Sequence, residues 1–156
     1  MEPLTVLIVP KRILVLAPHT DDAELGAGGS MAKWLEAGVD LHVAVFSTAE
    51  DSLPAGSSPS QLADECNASL DVLGVKPENR TILHYPVRKL GYHRQEVLEN
   101  IVELARRLDP GWILIPSGSD LHQDHATIHD AVGVLQRPLE GGAGDLVKVN
   151  VPVAGV

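Results

Sequence analysis

The chain has 156 residues, a length that predicts one domain with a single sizeable core. It is 44% hydrophobic and 21% charged but only 3% aromatic, so the core is expected to be aliphatic, as in parallel sheets buried on both faces. A net charge of −9 without a basic stripe excludes a nucleic-acid surface and an anionic membrane surface.

In chain order, residues 13–17 read as a first strand, starting as early as Leu4 with a break at Pro10. Residues 25–37 read as a helix with Leu25, Met31, Trp34 and Leu35 toward the core, ended by Gly38. Residues 41–46 form a second strand, and the polar stretch 47–58, with Pro54 and Gly56, a loop. Ser58-Pro59-Ser60-Gln61 resembles a capping box with proline at the first helical position. The helix it opens runs to about Leu73 and stops at Gly74. Its single cysteine, Cys66, excludes an internal disulfide and reads as a small buried hydrophobe.

Residues 81–85 are a third short strand, ended by Pro86. Residues 95–108 carry Val97, Leu98, Ile101, Leu104, Ala105 and Leu108 at helical spacing, and Asp109-Pro110-Gly111 breaks that helix. Residues 112–115 are a fourth strand ended by Pro116, and Asp120 with Gln123 resembles a second capping box for a helix to about Gln136. The alternation predicts a parallel sheet with right-handed crossovers and helices on both faces. Beyond Arg137-Pro138 and the glycines of 141–144, alternating valines from Val147 to Val153 fit either an edge strand, limited by Pro152, or a disordered tail. No basic region followed by an apolar stretch opens the chain, and no run approaches the roughly 20 apolar residues of a membrane span. A cytoplasmic protein is therefore expected.

Two clusters carry chemistry. His19-Thr20-Asp21-Asp22 follows the first strand, where open α/β sheets place their ligands. Asp120-Leu121-His122-Gln123-Asp124-His125 follows the fourth. If those strands are neighbours, the two turns face one crevice. His122 and His125, three residues apart, would share a helix face. His19, Asp22 and His125 offer an N,O,N set with an open position, the pattern of a catalytic zinc site rather than a structural one. Asp21 is then the free general base, His122 a proton donor or oxyanion stabiliser, and Asp124 a carboxylate that can orient a histidine. Asp120 is a helix cap or a contact for substrate hydroxyls. Gly26-Ala27-Gly28-Gly29-Ser30 fails the dinucleotide fingerprint, because Met31 stands at its last position; these glycines are expected to allow close packing and a tight helix start. His129 reads as a helix-surface or supporting histidine rather than a ligand, and Glu50 and Asp51 as candidate pocket lining.

Pro18-His19-Thr20-Asp21-Asp22-Ala23-Glu24-Leu25-Gly26-Ala27-Gly28-Gly29 resembles the first signature of the LmbE-like (PIG-L type) zinc-dependent N-deacetylases. Asp120 to His125 resembles their second, an H-x-D-H sequence. The resemblance implies an α/β, Rossmann-like three-layer sandwich with a mostly parallel sheet, and hydrolysis of an N-acyl group from an amino sugar. It assigns His19, Asp22 and His125 to the metal (Zn2+, with other divalent metals such as Fe2+ as alternatives), Asp21 to the base and His122 to the transition state. Many members carry an arginine shortly before the glutamate matching Glu65; here Leu62 falls at that place. Members also continue with further strands, so the fold is expected to be shortened at the C-terminus, with 1–136 as the deacetylase domain and 137–156 as a divergent tail or edge strand. A homo-oligomer formed through that tail follows as an expectation. The rival reading is a non-catalytic metal- or sugar-binding fragment.

Overall fold

The computed structural model describes residues 9–135 and 147–151. Within them, strands and helices alternate: β1 (Arg12–Ala17), α1 (Asp22–Glu36), β2 (Asp40–Val45), α2 (Gln61–Leu73), β3 (Arg80–Ile82), α3 (Arg94–Leu108), β4 (Trp112–Pro116), α4 (Gln123–Gly133) and β5 (Val147–Val151). The five strands are all parallel, in the order β3-β2-β1-β4-β5. The strand order reverses between β1 and β4, and parallel sheets open a ligand crevice at the carboxyl ends of such a pair. The tail's valine run thus supplies β5, which pairs with β4 at the edge of the sheet among the described residues. The expected start at Leu4, Pro152, and the remainder of the tail (136–146 and 152–156) lie outside the described residues.

Alternation along β1 splits the core into two layers. Ile13, Val15 and Ala17 face α1 and α2, packing with Ala23, Ala27, Met31, Cys66 and Leu70. Leu14 and Leu16 face α3 and α4, packing with Val97, Ile101, Leu104, Ile128 and Val132. The three-layer sandwich is therefore aliphatic on both sides, and Phe46 is its one fully buried aromatic ring among the described residues. Among those residues no helix is long and apolar enough to cross a membrane.

Several local expectations are corrected. Helix α1 begins three residues early, so its buried stripe is Ala23, Ala27 and Met31, four residues apart each time. Leu25, two residues off that stripe, turns outward and is 65% exposed. The glycines lie inside α1 rather than at its start. An added Cβ at Gly29 would meet nothing within 4 Å, and one at Gly28 only Glu24 Cβ at 3.8 Å, so close packing does not explain Gly28 or Gly29. The capping box at Ser58 does not form: α2 starts at Gln61 after Ser60, whose hydroxyl instead donates to Asp64 at 2.8 Å. Gly74 ends α2 in the left-handed region, φ 87°, as expected of a C-terminal glycine.

Cys66 is buried in α2, and burial pushes its thiol up to about 11. At pH 8 the folded chain should hold about a hundredfold less thiolate than the unfolded one. Iodoacetamide should accordingly label Cys66 rapidly in urea and very slowly in buffer. Equal rates would contradict the packed position of α2.

Candidate metal centre

The turns after β1 and β4 meet because those strands are hydrogen-bonded neighbours. Asp22 is the first residue of α1, and its Oδ2 accepts the backbone N–H of His19 at 2.8 Å, closing the turn that carries both. The same oxygen lies 3.2 Å from His19 Nδ1 and 3.2 Å from His125 Nε2. Those two nitrogens are 3.4 Å apart. All three side chains are largely shielded from solvent, at 13%, 8% and 6% exposure for His19, Asp22 and His125.

The outer nitrogen of each imidazole is also engaged. His19 Nε2 is 2.9 Å from Asp124 Oδ2, and His125 Nδ1 is 2.7 Å from Asp120 Oδ2. Each ring donates its outer N–H to a carboxylate, which turns its other nitrogen toward the shared centre. Asp124 is fully buried, and its carboxylate is completed by backbone N–H groups of Arg88 at 2.6 Å and Leu90 at 3.1 Å. Asp120 Oδ1 accepts the N–H of His122 at 2.9 Å. Asp120 therefore does not cap α4. The cap is His122, whose Nδ1 accepts the N–H of Asp124 at 3.1 Å and whose extended backbone places it outside the helix. Its ring still lies 4.7 Å from that of His19 and 5.0 Å from that of His125.

The charges are arranged for a cation. Burial alone would raise the Asp22 carboxyl, but the hydrogen bonds from His125 and His19 hold it well below the usual carboxylate range. Burial would likewise depress His19, but bonds to Asp124 and Asp22 hold it up at about 9. His125 is raised against its burial by Asp22 and Asp120. His122 behaves oppositely: burial and the neighbouring His19 lower it, so it is neutral.

These atoms fit a tetrahedral metal. Ligands about 2.0–2.1 Å from zinc stand roughly 3.3 Å apart, which the separations of 3.2, 3.2 and 3.4 Å match. The imidazoles of His19, His122 and His125 form a second grouping, with nitrogens within 4.8 Å of one another. Tautomer chemistry separates the two sets. With Nδ1 accepting the Asp124 N–H, a neutral His122 carries its proton on Nε2 and presents a donor there.

Asp21 precedes α1, exposed, and its side chain makes no capping hydrogen bond. Glu50 and Asp51 lie exposed in a 3-10 turn, where Glu50 accepts from Thr48 at 3.0 Å and lies 3.4 Å from His84. His129 donates Nδ1–H to the Pro116 carbonyl at 3.0 Å, tying α4 to the end of β4. Leu62 is half-buried in the first turn of α2. Sequence reasoning missed the segment between β3 and α3, because what it contributes is two main-chain amides, which carry no side-chain signal.

A model of the family described as PIG-L, GlcNAc-PI de-N-acetylase, matches residues 14–135. Diacetylchitobiose deacetylase of Thermococcus kodakarensis is 31% identical over 123 residues, covering 74% of this chain and 45% of that protein. Among solved structures, N,N'-diacetylchitobiose deacetylase from Pyrococcus horikoshii, complexed with its inhibitor MPG, superposes with TM-score 0.70 at 25% identity, covering 83% of this chain and 52% of that one. The conserved protein TT1542 from Thermus thermophilus gives 0.70 at 26% identity, covering 92% and 67%. The chain spans about half the length of the diacetylchitobiose deacetylases it resembles.

Proposed function

Because this chain belongs to the PIG-L (GlcNAc-PI de-N-acetylase) family, we propose that it removes the acetyl group from an N-acetylated amino sugar by metal-assisted hydrolysis. The observation that carries the reading is the triangle of His19 Nδ1, Asp22 Oδ2 and His125 Nε2, spaced as a tetrahedral metal requires. A divalent cation in that triangle, zinc first by ligand type, would lower the pKa of a water and polarise the amide carbonyl.

The remaining steps belong to the chain's own residues. Asp124 and Asp120 fix the tautomers of His19 and His125. Asp21, the solvent-facing neighbour of Asp22, takes a proton from the water as its oxygen bonds to the acetyl carbon. The carbonyl π electrons move onto oxygen, and His122 donates its Nε2–H to the developing charge. As the C–N bond breaks, the proton held by Asp21 passes to the leaving nitrogen. Acetate and a free amine result.

Protein purified without chelator is expected to carry close to one divalent metal per chain and to release acetate from one or more members of a panel of N-acetyl sugars. Metal without hydrolysis of any substrate would favour a binding role. Metal-free protein with an intact fold would overturn the reading.

The metal-free state has a pH signature of its own. His19 is held at about 9 against an ordinary 6.5, so its imidazolium stabilises the fold fully below pH 6.5. That contribution is lost as the pH rises through 9. Chelator-treated protein should therefore melt on the order of 5 °C lower at pH 9.5 than at pH 6.5. Metal uptake should run the other way, strengthening with pH, because the proton on the inward nitrogen must leave first. A melting temperature flat over that range would contradict the assignment of His19.

A further inference from the structure

Residues 79–95 hold four of the chain's 12 Lys and Arg (Arg80, Arg88, Lys89, Arg94) and none of its 21 Asp and Glu. Arg80 is committed to Asp71. Arg88, Lys89 and Arg94 are exposed and join none of the ion pairs among the described residues. The segment is also docked on the metal centre. The N–H groups of Arg88 and Leu90 hold Asp124, which holds His19, so Arg88 is two hydrogen bonds away from a ligand. The one buried carboxylate beside it, Asp124, is already saturated by those amides and His19.

Arg88 adopts φ 64°, a left-handed conformation that costs a side-chain-bearing residue and that glycine would adopt freely. A large cation stands at a position where the backbone favours having no side chain. Such strain beside a reacting centre points to use of the side chain. The chain as a whole, at −9, repels anions. That repulsion fades beyond roughly 8 Å at physiological salt, so these cations act on a group that comes close to them.

Resting on the deacetylase reading, we infer that Arg88 and Lys89 form a cationic rim that receives an anionic substituent, phosphate or carboxylate, of the N-acetylated substrate. An arginine fork suits either group.

The test compares N-acetylglucosamine with its 6-phosphate, its 1-phosphate and N-acetylmuramic acid; the arms separate phosphate from carboxylate and locate the charge. At least one anionic sugar is expected to exceed the neutral one about tenfold in kcat/KM, chiefly through KM, and to lose the advantage as salt rises. Arg88→Gly relieves the backbone and keeps the N–H to Asp124, so it deletes only the cation. The charged-to-neutral ratio should fall toward one in Arg88→Gly,Lys89→Gln and recover in part in Arg88→Lys. Glucosamine 6-phosphate, with no acetyl group to remove, provides a readout free of turnover. Calorimetry should show it binding the wild type more tightly than it binds the double variant. If no N-acetyl sugar is cut but this difference persists, the deacetylase reading fails and the rim stands. Equal ratios and equal binding in wild type and variant would overturn the rim, whatever the protein hydrolyses.

Discussion

Asp22→Ala should yield protein with no bound divalent metal and no measurable deacetylation. One oxygen of Asp22 meets the His19 amide, His19 Nδ1 and His125 Nε2 at 2.8, 3.2 and 3.2 Å. Removing it deletes a proposed ligand and the negative charge that faces two imidazole nitrogens 3.4 Å apart. Losing a residue that merely orients a ligand costs roughly 10–100-fold in metal affinity, and losing this ligand should cost more. The metal-free variant also loses stability, because breaking a buried ion pair from one side typically costs about 3–5 kcal/mol. The isosteric Asp22→Asn keeps the turn through the His19 N–H and separates folding from binding. It should fold, as circular dichroism would show, yet bind metal at least about 100-fold more weakly, as competition with a chromophoric chelator would show. Wild-type metal content in Asp22→Asn would refute the ligand assignment.

The neighbouring carboxylate should behave in the opposite way. Asp21→Asn is expected to retain its metal while kcat drops about 10²–10⁴-fold, the usual yield of a positioned general base. Asp21 is exposed and caps nothing, so the melting temperature should move by no more than about 0.5 kcal/mol allows. Two adjacent acids would then divide cleanly, one governing occupancy and the other turnover. If Asp21→Asn lost metal, or turned over at the wild-type rate, the base would have to be found elsewhere.

The proposed split between these acids is partly readable in the sequence. Apolar runs at β1 and β4 ending in His/Asp clusters announce two βα turns, and the absence of cysteine pairs argues against a structural metal. That β1 and β4 are neighbours is a fact of topology, and only the sheet order supplies it. Helix α3 is legible nearly residue by residue because its apolar spacing is regular from Val97 to Leu108. Helix α1 is not, because glycines and alanines hide its phase, so Leu25 draws attention that belongs to Ala23 and Ala27. Asp120 misleads for a different reason. A carboxylate before a helix usually serves the backbone, and here it serves His125, while a histidine takes over the cap. Nothing in the identities of Arg88 or Leu90 declares that their main-chain amides complete Asp124, since amide placement follows from the path of the loop.

The triangle also joins parts of the chain that are remote in sequence: His19 and His125 are separated by 106 positions, and Arg88 reaches Asp124 across 36. Contacts of that range form late in folding, after the chain entropy between them has been lost. The sheet's central pair must therefore close before any of these side chains meet. A refolding experiment in which metal capture lags behind helix formation would make the site a reporter of completed topology. A bound ion would act there as a reversible crosslink across the switch between β1 and β4, slowing unfolding more than it speeds folding.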